Sequence, residues 1–132
     1  MRSRLIAPTA ACAILAAIVA IAWGRTPDYR EKPEMTRLAI DGRIYHIQVA
    51  RTPEDRTKGL SGPLIQGRDG MLFLFPRPAR PCFWMRDTRT DIEIAFLDEN
   101  WRVFQVERLK AHDETSVCAS RETDRVLELL AR

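Results

Sequence analysis

The sequence has few of the residues from which common catalytic and metal sites are built. Its two histidines, His46 and His112, lack metal-ligand spacing with each other or with Cys118. No HExxH, GxSxG or glycine-rich phosphate motif occurs. We therefore expect no metal or cofactor and assign no catalytic residue. A Cys118–His112 nucleophile pair is the one conventional alternative, and a disulfide at Cys118 would remove it.

The chain also lacks the basic stripe that is typical of a nucleic-acid-binding protein. Its formal net charge is +3, and setting aside Arg2 and Arg4 in the N-terminal segment lowers it by two, to +1. No run of Lys and Arg with interleaved aromatic residues occurs. We expect a monomeric domain without a nucleic-acid partner.

Charge is absent from Leu5 to Gly24, a run of 20 residues that follows Arg2 and Arg4. A short basic region before an apolar run is typical of a secretory signal, and Ala20-Ile21-Ala22 would place cleavage before Trp23. The alternative is a retained membrane anchor whose arginines stay in the cytoplasm. Both interpretations predict export of the rest of the chain, to the periplasm or the extracellular side.

Export determines how we interpret the cysteines and the domain boundaries. Residues are assigned to a signal peptide or anchor helix (1–24), a polar linker (25–36) and one domain (37–132). Cys12 belongs to the first segment, which leaves Cys82 and Cys118 as an even pair in an oxidising compartment. This pair is a disulfide candidate that would close a loop of about 36 residues. The alternative is two free thiols, with Cys82 a small core residue.

Two short apolar runs dominate the middle of the chain. Residues 71–75 and 82–85 are short for helices and suit strands that are buried on both faces. Pro76, Pro78 and Pro81 lie between the runs, so we expect a stiff loop rather than a helix there. We predict that the two runs lie side by side as neighbouring strands.

Turn chemistry predicts a β-hairpin near the start of the domain. Asp41-Gly42 lies between apolar segments, and this dipeptide favours a type I′ turn because both of its residues tolerate positive φ. In the second strand Ile47 and Val49 alternate with His46 and Gln48. Alternation predicts one buried face and one solvent face, with His46 and Gln48 on the solvent face.

One short helix and several more strands complete the pattern. Thr52-Pro53-Glu54-Asp55 predicts a helix N-terminus, and Gly59 would end the helix within about two turns. Further strands are predicted at residues 92–97, 101–109 and 125–130. The pattern predicts a mainly β fold, a compact antiparallel β-sandwich or small barrel with one short helix, preceded by the N-terminal signal or anchor helix.

Three motifs in order resemble the family called domain of unknown function 192 (DUF192). They are Gly59-Leu60-Ser61-Gly62, Gly70-Met71-Leu72-Phe73-Leu74-Phe75 and Phe83-Trp84-Met85-Arg86-Asp87-Thr88. The resemblance covers about residues 38–129. It implies an exported, small all-β domain and names no reaction, because the family has none assigned. Family members usually continue beyond the strand that contains Leu129, so we expect a C-terminally shortened domain with an exposed sheet edge.

The FWM strand supplies the candidate site. Phe83 and Met85 share one face of a strand and Trp84 takes the other, so all three either pack as core or form the floor of a cleft. The candidate ligand-binding residues are Arg56, Trp84, Asp87, Thr88 and Glu93. Arg56 and Glu93 are predicted to form a charge-assisted pair, as a structural contact or as a ligand clamp. Thr88 alternatively bonds within its own turn.

Four arginines flank this site, and they favour an anionic partner or form a solvated rim. They are Arg77, Arg80, Arg86 and Arg89.

Our first hypothesis is a small-ligand-binding or envelope-accessory module whose ligand is a small molecule such as an anionic glycan or lipid head group. The second is a hydrolase or lyase that uses Glu93 beside Arg56. The third is a truncated structural remnant without an active site. The sequence leaves open whether the protein is an enzyme.

Overall fold

Strands make up most of the regular structure in residues 32–131, the part of the chain that the computed structural model describes. The order along the chain is β1 (Met35–Ile40), β2 (Arg43–Ala50), α1 (Pro53–Lys58), β3 (Gly70–Ala79), β4 (Cys82–Phe83), β5 (Ile92–Leu97), β6 (Val103–Leu109), β7 (Val117–Cys118) and β8 (Thr123–Leu130). The predicted mainly β fold with one short helix is confirmed for this part of the chain.

The strands form a six-stranded mixed sheet in the order β1-β2-β3-β8-β5-β6 and a two-stranded sheet of β4 and β7. Five of the six pairings are antiparallel, but β2 and β3 run parallel. The prediction of a wholly antiparallel sandwich or barrel is therefore wrong at this pair. Because parallel neighbours need a crossover connection, the chain passes through α1 and a loop before it enters β3.

The predicted hairpin between β1 and β2 is confirmed. Asp41 has φ of 48° and Gly42 has φ of 77°, the two positive angles of a type I′ turn. His46 is exposed as predicted, but Gln48 is buried with an exposed fraction of 7%. The alternation fails at Gln48 because β2 is covered on both faces from residue 47 to residue 50.

The short helix also forms as the sequence predicts. The Thr52 hydroxyl caps α1 by accepting a hydrogen bond from the Asp55 amide at 3.1 Å, and Pro53 occupies the first turn. Gly59 ends the helix with a φ of 52°. Arg56 and Lys58 lie in the last turn of the helix, and the Arg56 side chain reaches the Leu74 carbonyl oxygen of β3.

The proline-rich segment differs from the prediction. Pro76 and Pro78 lie inside β3, which continues to Ala79, rather than in a loop. The register with β8 shifts between Leu74 and Ala79, where the prolines have no N–H to donate. The two apolar runs are also not neighbouring strands. Instead β3 lies between β2 and β8, while β4 pairs with β7.

The last strand, β8, is paired on both sides. Leu127 lies opposite Leu72 of β3 and opposite Ala95 of β5. β8 is therefore not an edge strand, and the six-stranded sheet ends at β1 and β6. The predicted C-terminal shortening, with the edge that it would expose, stays a prediction.

Apolar residues pack on both faces of the large sheet. The larger cluster combines sheet residues with residues from the segments around α1, β4 and β7: Ala50, Leu60, Met71, Phe73, Met85, Ile92, Ile94, Phe96, Leu109, Ala119 and Val126. The smaller cluster consists of Ile47, Leu72, Leu97 and Leu127. Ile92, Ile94 and Phe96 share one face of β5, as the sequence predicts.

A disulfide joins Cys82 and Cys118, which lie opposite each other in β4 and β7. The predicted pairing is confirmed. Closing a loop of this length stabilises a domain by about 3 to 4 kcal/mol, mainly through the unfolded state. The bond therefore holds the segment that carries Phe83, Trp84 and Met85 against the late loop.

The predictions for the N-terminal segment fall on residues 1–31, outside the described residues, and so does Cys12. Among residues 32–131, no helix is long and apolar enough to cross a membrane. β1 begins at Met35, so residues 35 and 36, assigned above to the linker, belong to a strand.

Candidate functional site

A cavity of about 410 Å³ lies between α1, β3, β8 and the segment that follows Pro81. We call it the α1 cavity and define it by seven of the residues that line it: Arg56, Leu60, Phe73, Phe83, Trp84, Thr88 and Glu128. This volume falls within the range of small-ligand sites in proteins.

The wall of the α1 cavity is apolar. Leu60, Phe73, Met85 and Ile92 line it and are almost fully buried. The Phe83 ring meets the Phe73 ring edge-on, with centroids 5.0 Å apart. Such edge contacts between aromatic rings fix ring orientation. The wall is therefore shaped by side chains that the core already holds in place.

The rim of the α1 cavity is basic. The Arg56 guanidinium donates through Nη1 to the carbonyl oxygen of Leu74 at 3.0 Å and to that of Arg51. It also lies 5.2 Å from the centroid of the Phe75 ring. These contacts fix the position of the positive charge. Lys58 adds a second cation to the rim.

Trp84 and Arg86 form the other side of the rim. Trp84 is 51% exposed, and the Arg86 guanidinium lies 4.2 Å from the centroid of its ring. Arg86 also donates through Nε to Glu114 at 3.0 Å. The prediction that Phe83 and Met85 share one face and Trp84 takes the other agrees with the burial of Met85 and the exposure of Trp84.

Three of the five predicted site residues line this cavity together: Arg56, Trp84 and Thr88. Thr88 is buried, and its amide donates to the Met85 carbonyl at 3.0 Å, so the turn is closed by the backbone. Asp87 is exposed at φ of 58° in the same turn and is not among the lining residues. The structure thus gathers three of the predicted residues around one cavity.

Glu93 lies elsewhere, so the predicted Arg56–Glu93 pair is wrong. The Glu93 carboxylate accepts from Arg108 Nε at 3.4 Å, across the β5–β6 pair. It lines a second cavity of about 370 Å³ with Tyr45 and Lys110. The physical reason is strand alternation: Ile92 faces the α1 cavity, so Glu93 points to the opposite face of the sheet.

The arginine-rich loops do not converge on the α1 cavity either. Of the four flanking arginines only Arg86 lines it. Arg80 instead donates to the Ala119 carbonyl at 3.0 Å. Within residues 32–131, no group of three or more His, Cys, Asp or Glu side chains is placed to hold a metal ion.

The sequence reasoning missed a buried carboxyl group in the same cavity. Glu128 lines the α1 cavity, with only 5% of the residue exposed. It lies in a row across four neighbouring strands, with Gln48, Met71 and Ile94 as the other members. Arg68 covers this row and donates through Nη1 to Gln48 Oε1 at 2.8 Å. No described residue donates a hydrogen bond to the Glu128 carboxyl group.

Burial changes the charge state of this group. Removal from water raises the pKa of Glu128 to about 8, although the positive charge of Arg68 opposes the shift. Burial likewise lowers the pKa of the Arg68 guanidinium. At neutral pH Glu128 is therefore mainly a protonated acid, which donates a hydrogen bond instead of only accepting one.

One signal in the sequence could have pointed to Glu128. It is the single charged residue in the apolar run from Val126 to Leu130, and period-two alternation puts it on the face of Val126. Val126 is fully buried, so a carboxylate two residues further along is buried with it. A lone acid on the core face of a central strand is a candidate for a functional group.

The fold and this site define a small mainly β domain that has, among its cavities, a ligand-sized one lined by a buried acid. The chain belongs to the DUF192 family, described as "Uncharacterized ACR", which it matches over residues 36–132. The resemblance noted from the three motifs is thereby confirmed. No curated protein matches the chain.

Two solved structures have the same fold. One is a protein of unknown function from Novosphingobium aromaticivorans DSM 12444, with 26% identity and a TM-score of 0.60, covering 82% of this chain and 89% of that one. The other is a Sinorhizobium meliloti 1021 protein provisionally described as a transcription regulator. It has 24% identity and a TM-score of 0.60, covering 74% of this chain and 78% of that one. At that identity the second likeness shows the fold alone.

Proposed function

We propose that the domain binds a small molecule with an apolar body and a negatively charged group in the α1 cavity. The observation that carries this proposal is a ligand-sized cavity that joins an apolar wall to a basic rim. Phe73 and Met85 are almost fully buried and offer the ligand a rigid apolar surface. Arg56 and Lys58 stand at the opening and offer positive charge.

Electrostatics at the rim support an anionic group on the ligand. Among the described residues that line the cavity, Arg56, Lys58 and Arg86 are basic and Glu128 is the only acid. Glu128 is mainly uncharged at neutral pH and Arg86 is paired with Glu114, so Arg56 and Lys58 supply the positive charge at the opening. Guanidinium groups suit carboxylate and phosphate oxygens because they offer planar pairs of donors.

A thermal-shift screen of the full chain tests the proposal. The probes are octanoate, phenylacetate, glucuronate and glycerol 3-phosphate, which represent lipid tails, aromatic acids, anionic sugars and lipid head groups. We expect at least one probe to raise the melting temperature, because binding to the folded state alone stabilises it by mass action. An unchanged melting temperature with all four probes would contradict the proposal.

For a probe that raises the melting temperature, Trp84→Ala is expected to increase the dissociation constant about tenfold. This corresponds to about 1.4 kcal/mol of lost aromatic contact. Calorimetric titration measures the dissociation constant. Trp101→Ala is the matched control: Trp101 is 53% exposed, carries an arginine 4.5 Å from its ring centroid and lies outside the α1 cavity. Equal losses in the two variants would contradict the proposed site.

We also propose that the domain is exported, with residues 1–24 as a signal or anchor. The disulfide between Cys82 and Cys118 supports this, since such bonds persist in oxidising compartments and are rare in reducing ones. We expect neither cysteine to react with a maleimide when cells are quenched in acid and the chain is then denatured without reductant. Labelling of both thiols would contradict export.

A further inference from the structure

We propose that Glu128 is the hydrogen-bond donor at the floor of the α1 cavity and selects ligands that place an uncharged oxygen acceptor, such as a ketone or amide carbonyl, against it. The inference rests on the proposed function and names the class of ligand: a carbonyl group at the inner end and an anionic group at the outer end. The position, partners and charge state of Glu128 each support it.

The position makes Glu128 the carboxyl group at the inner end of the cavity, where Thr88 is the other lining polar residue that is almost fully buried. Trp84 at the rim is 51% exposed, whereas Glu128 is 5% exposed and still lines the same space. Its strand neighbours Met71 and Ile94 are fully buried and do not titrate. A ligand that fills the cavity between the rim and the sheet therefore ends against this carboxyl group.

Among the described residues the Glu128 carboxyl group has no hydrogen-bond partner. Arg68 is committed through Nη1 to Gln48 Oε1 at 2.8 Å, and no described residue donates to the Glu128 carboxyl group or accepts a hydrogen bond from it. The Nε of Arg68 is also buried without a partner in the described part of the chain. Unpaired polar groups in an apolar setting are costly, and a ligand in the α1 cavity that accepts a hydrogen bond from Glu128 recovers part of that free energy.

The charged groups around Glu128 decide which ligand group fits. Arg68 faces it from the loop before β3, and across the cavity stand Arg56 and Lys58 of α1 and Arg86 after β4. Burial raises the pKa of Glu128 more than the charge of Arg68 lowers it, so the group stays protonated near neutral pH. A protonated acid donates to a carbonyl oxygen, and the anionic end of the ligand then points to the rim cations.

Two matched probes test this with the full chain. 6-Oxoheptanoate carries a ketone at one end and a carboxylate at the other, and heptanoate has the same chain length without the ketone. At pH 6.5 we expect 6-oxoheptanoate to bind about tenfold more tightly than heptanoate, as measured by calorimetric titration. At pH 9.5, where Glu128 ionises and can no longer donate, the ratio of the two dissociation constants is expected to fall towards one.

Two variants separate the hydrogen bond from the fold. Glu128→Gln keeps a donor of the same shape, so its ratio should stay near ten at both pH values. Glu128→Leu removes the donor without burying a new charge, so the ratio of the two dissociation constants for this variant should be close to one at both pH values. Binding of both probes to the wild type at pH 6.5 with equal affinity would overturn the inference and leave the proposed function standing. Absence of binding by both would also overturn the inference, and the proposed function would fall with it if none of the four thermal-shift probes bound either.

Discussion

Replacing Gly70 with alanine is expected to destabilise the domain by about 5 kcal/mol or to prevent folding. Gly70 opens β3 and pairs with Ile47 of β2 and Leu129 of β8. A Cβ at this position would lie 2.1 Å from the backbone carbonyl oxygen of Glu128. Because that oxygen belongs to the main chain of the neighbouring strand, no rotamer change relieves the clash, and β3 and β8 must separate at the centre of the sheet.

Urea unfolding of the variant measures this loss, and Gly67→Ala is the matched control. Gly67 has φ of 77°, and a Cβ there would meet nothing within 4 Å. Its replacement therefore costs only the backbone strain of alanine in the left-handed region, about 1 kcal/mol. Similar losses in the two variants would contradict the close approach of β3 and β8. The Gly70→Ala substitution should also disturb the α1 cavity, because Gly70 of β3 lies against the backbone of Glu128 in β8.

The parts of the fold that the sequence predicts are those set by neighbours along the chain. Asp41-Gly42 needs only two positive φ angles to form its turn, and Thr52 needs only the Asp55 amide three residues later. The alternation in β5 likewise depends on local pleating, and Ile92 and Ile94 share a face as predicted. The turn and the helix cap are complete within a few residues, so tertiary structure does not overturn them. Alternation is less secure, because Gln48 is buried where β2 is covered on both faces.

The parts that the sequence does not predict depend on strand order. Glu93 and Arg56 have opposite charges and suit one another chemically, but β5 directs Glu93 to the sheet face that α1 does not cover. Pro76 suggests a loop, yet β3 tolerates it where the ladder with β8 is interrupted. Trp84, Arg56 and Thr88 were found because each lies in or next to a family motif. Glu128 was missed because its burial results from strands on both sides.

The stability of the wild-type domain is expected to fall by about 3 to 4 kcal/mol between pH 5 and pH 8 because of Glu128 alone. Its folded pKa of about 8 lies above the ordinary value of 4.5. Between these values the unfolded chain has released the proton and the folded chain still holds it. The folded state thus binds more protons, so the free energy of unfolding decreases as pH rises through this window and levels off above about pH 8.

Glu128→Gln isolates this contribution because the amide keeps the shape of the acid and does not titrate. Hydrogen bonds lower the pKa values of Asp91, Asp98, Asp113 and Asp124, so these groups titrate on the acid side of the window and are the same in both proteins. We expect the two melting temperatures to be similar at pH 5 and the variant to melt more than about 10 °C higher at pH 8. Parallel curves from pH 5 to pH 8 would show that Glu128 is solvated or ionised in the folded domain. The same comparison therefore tests, without any ligand, the charge state on which carbonyl recognition at the cavity floor depends.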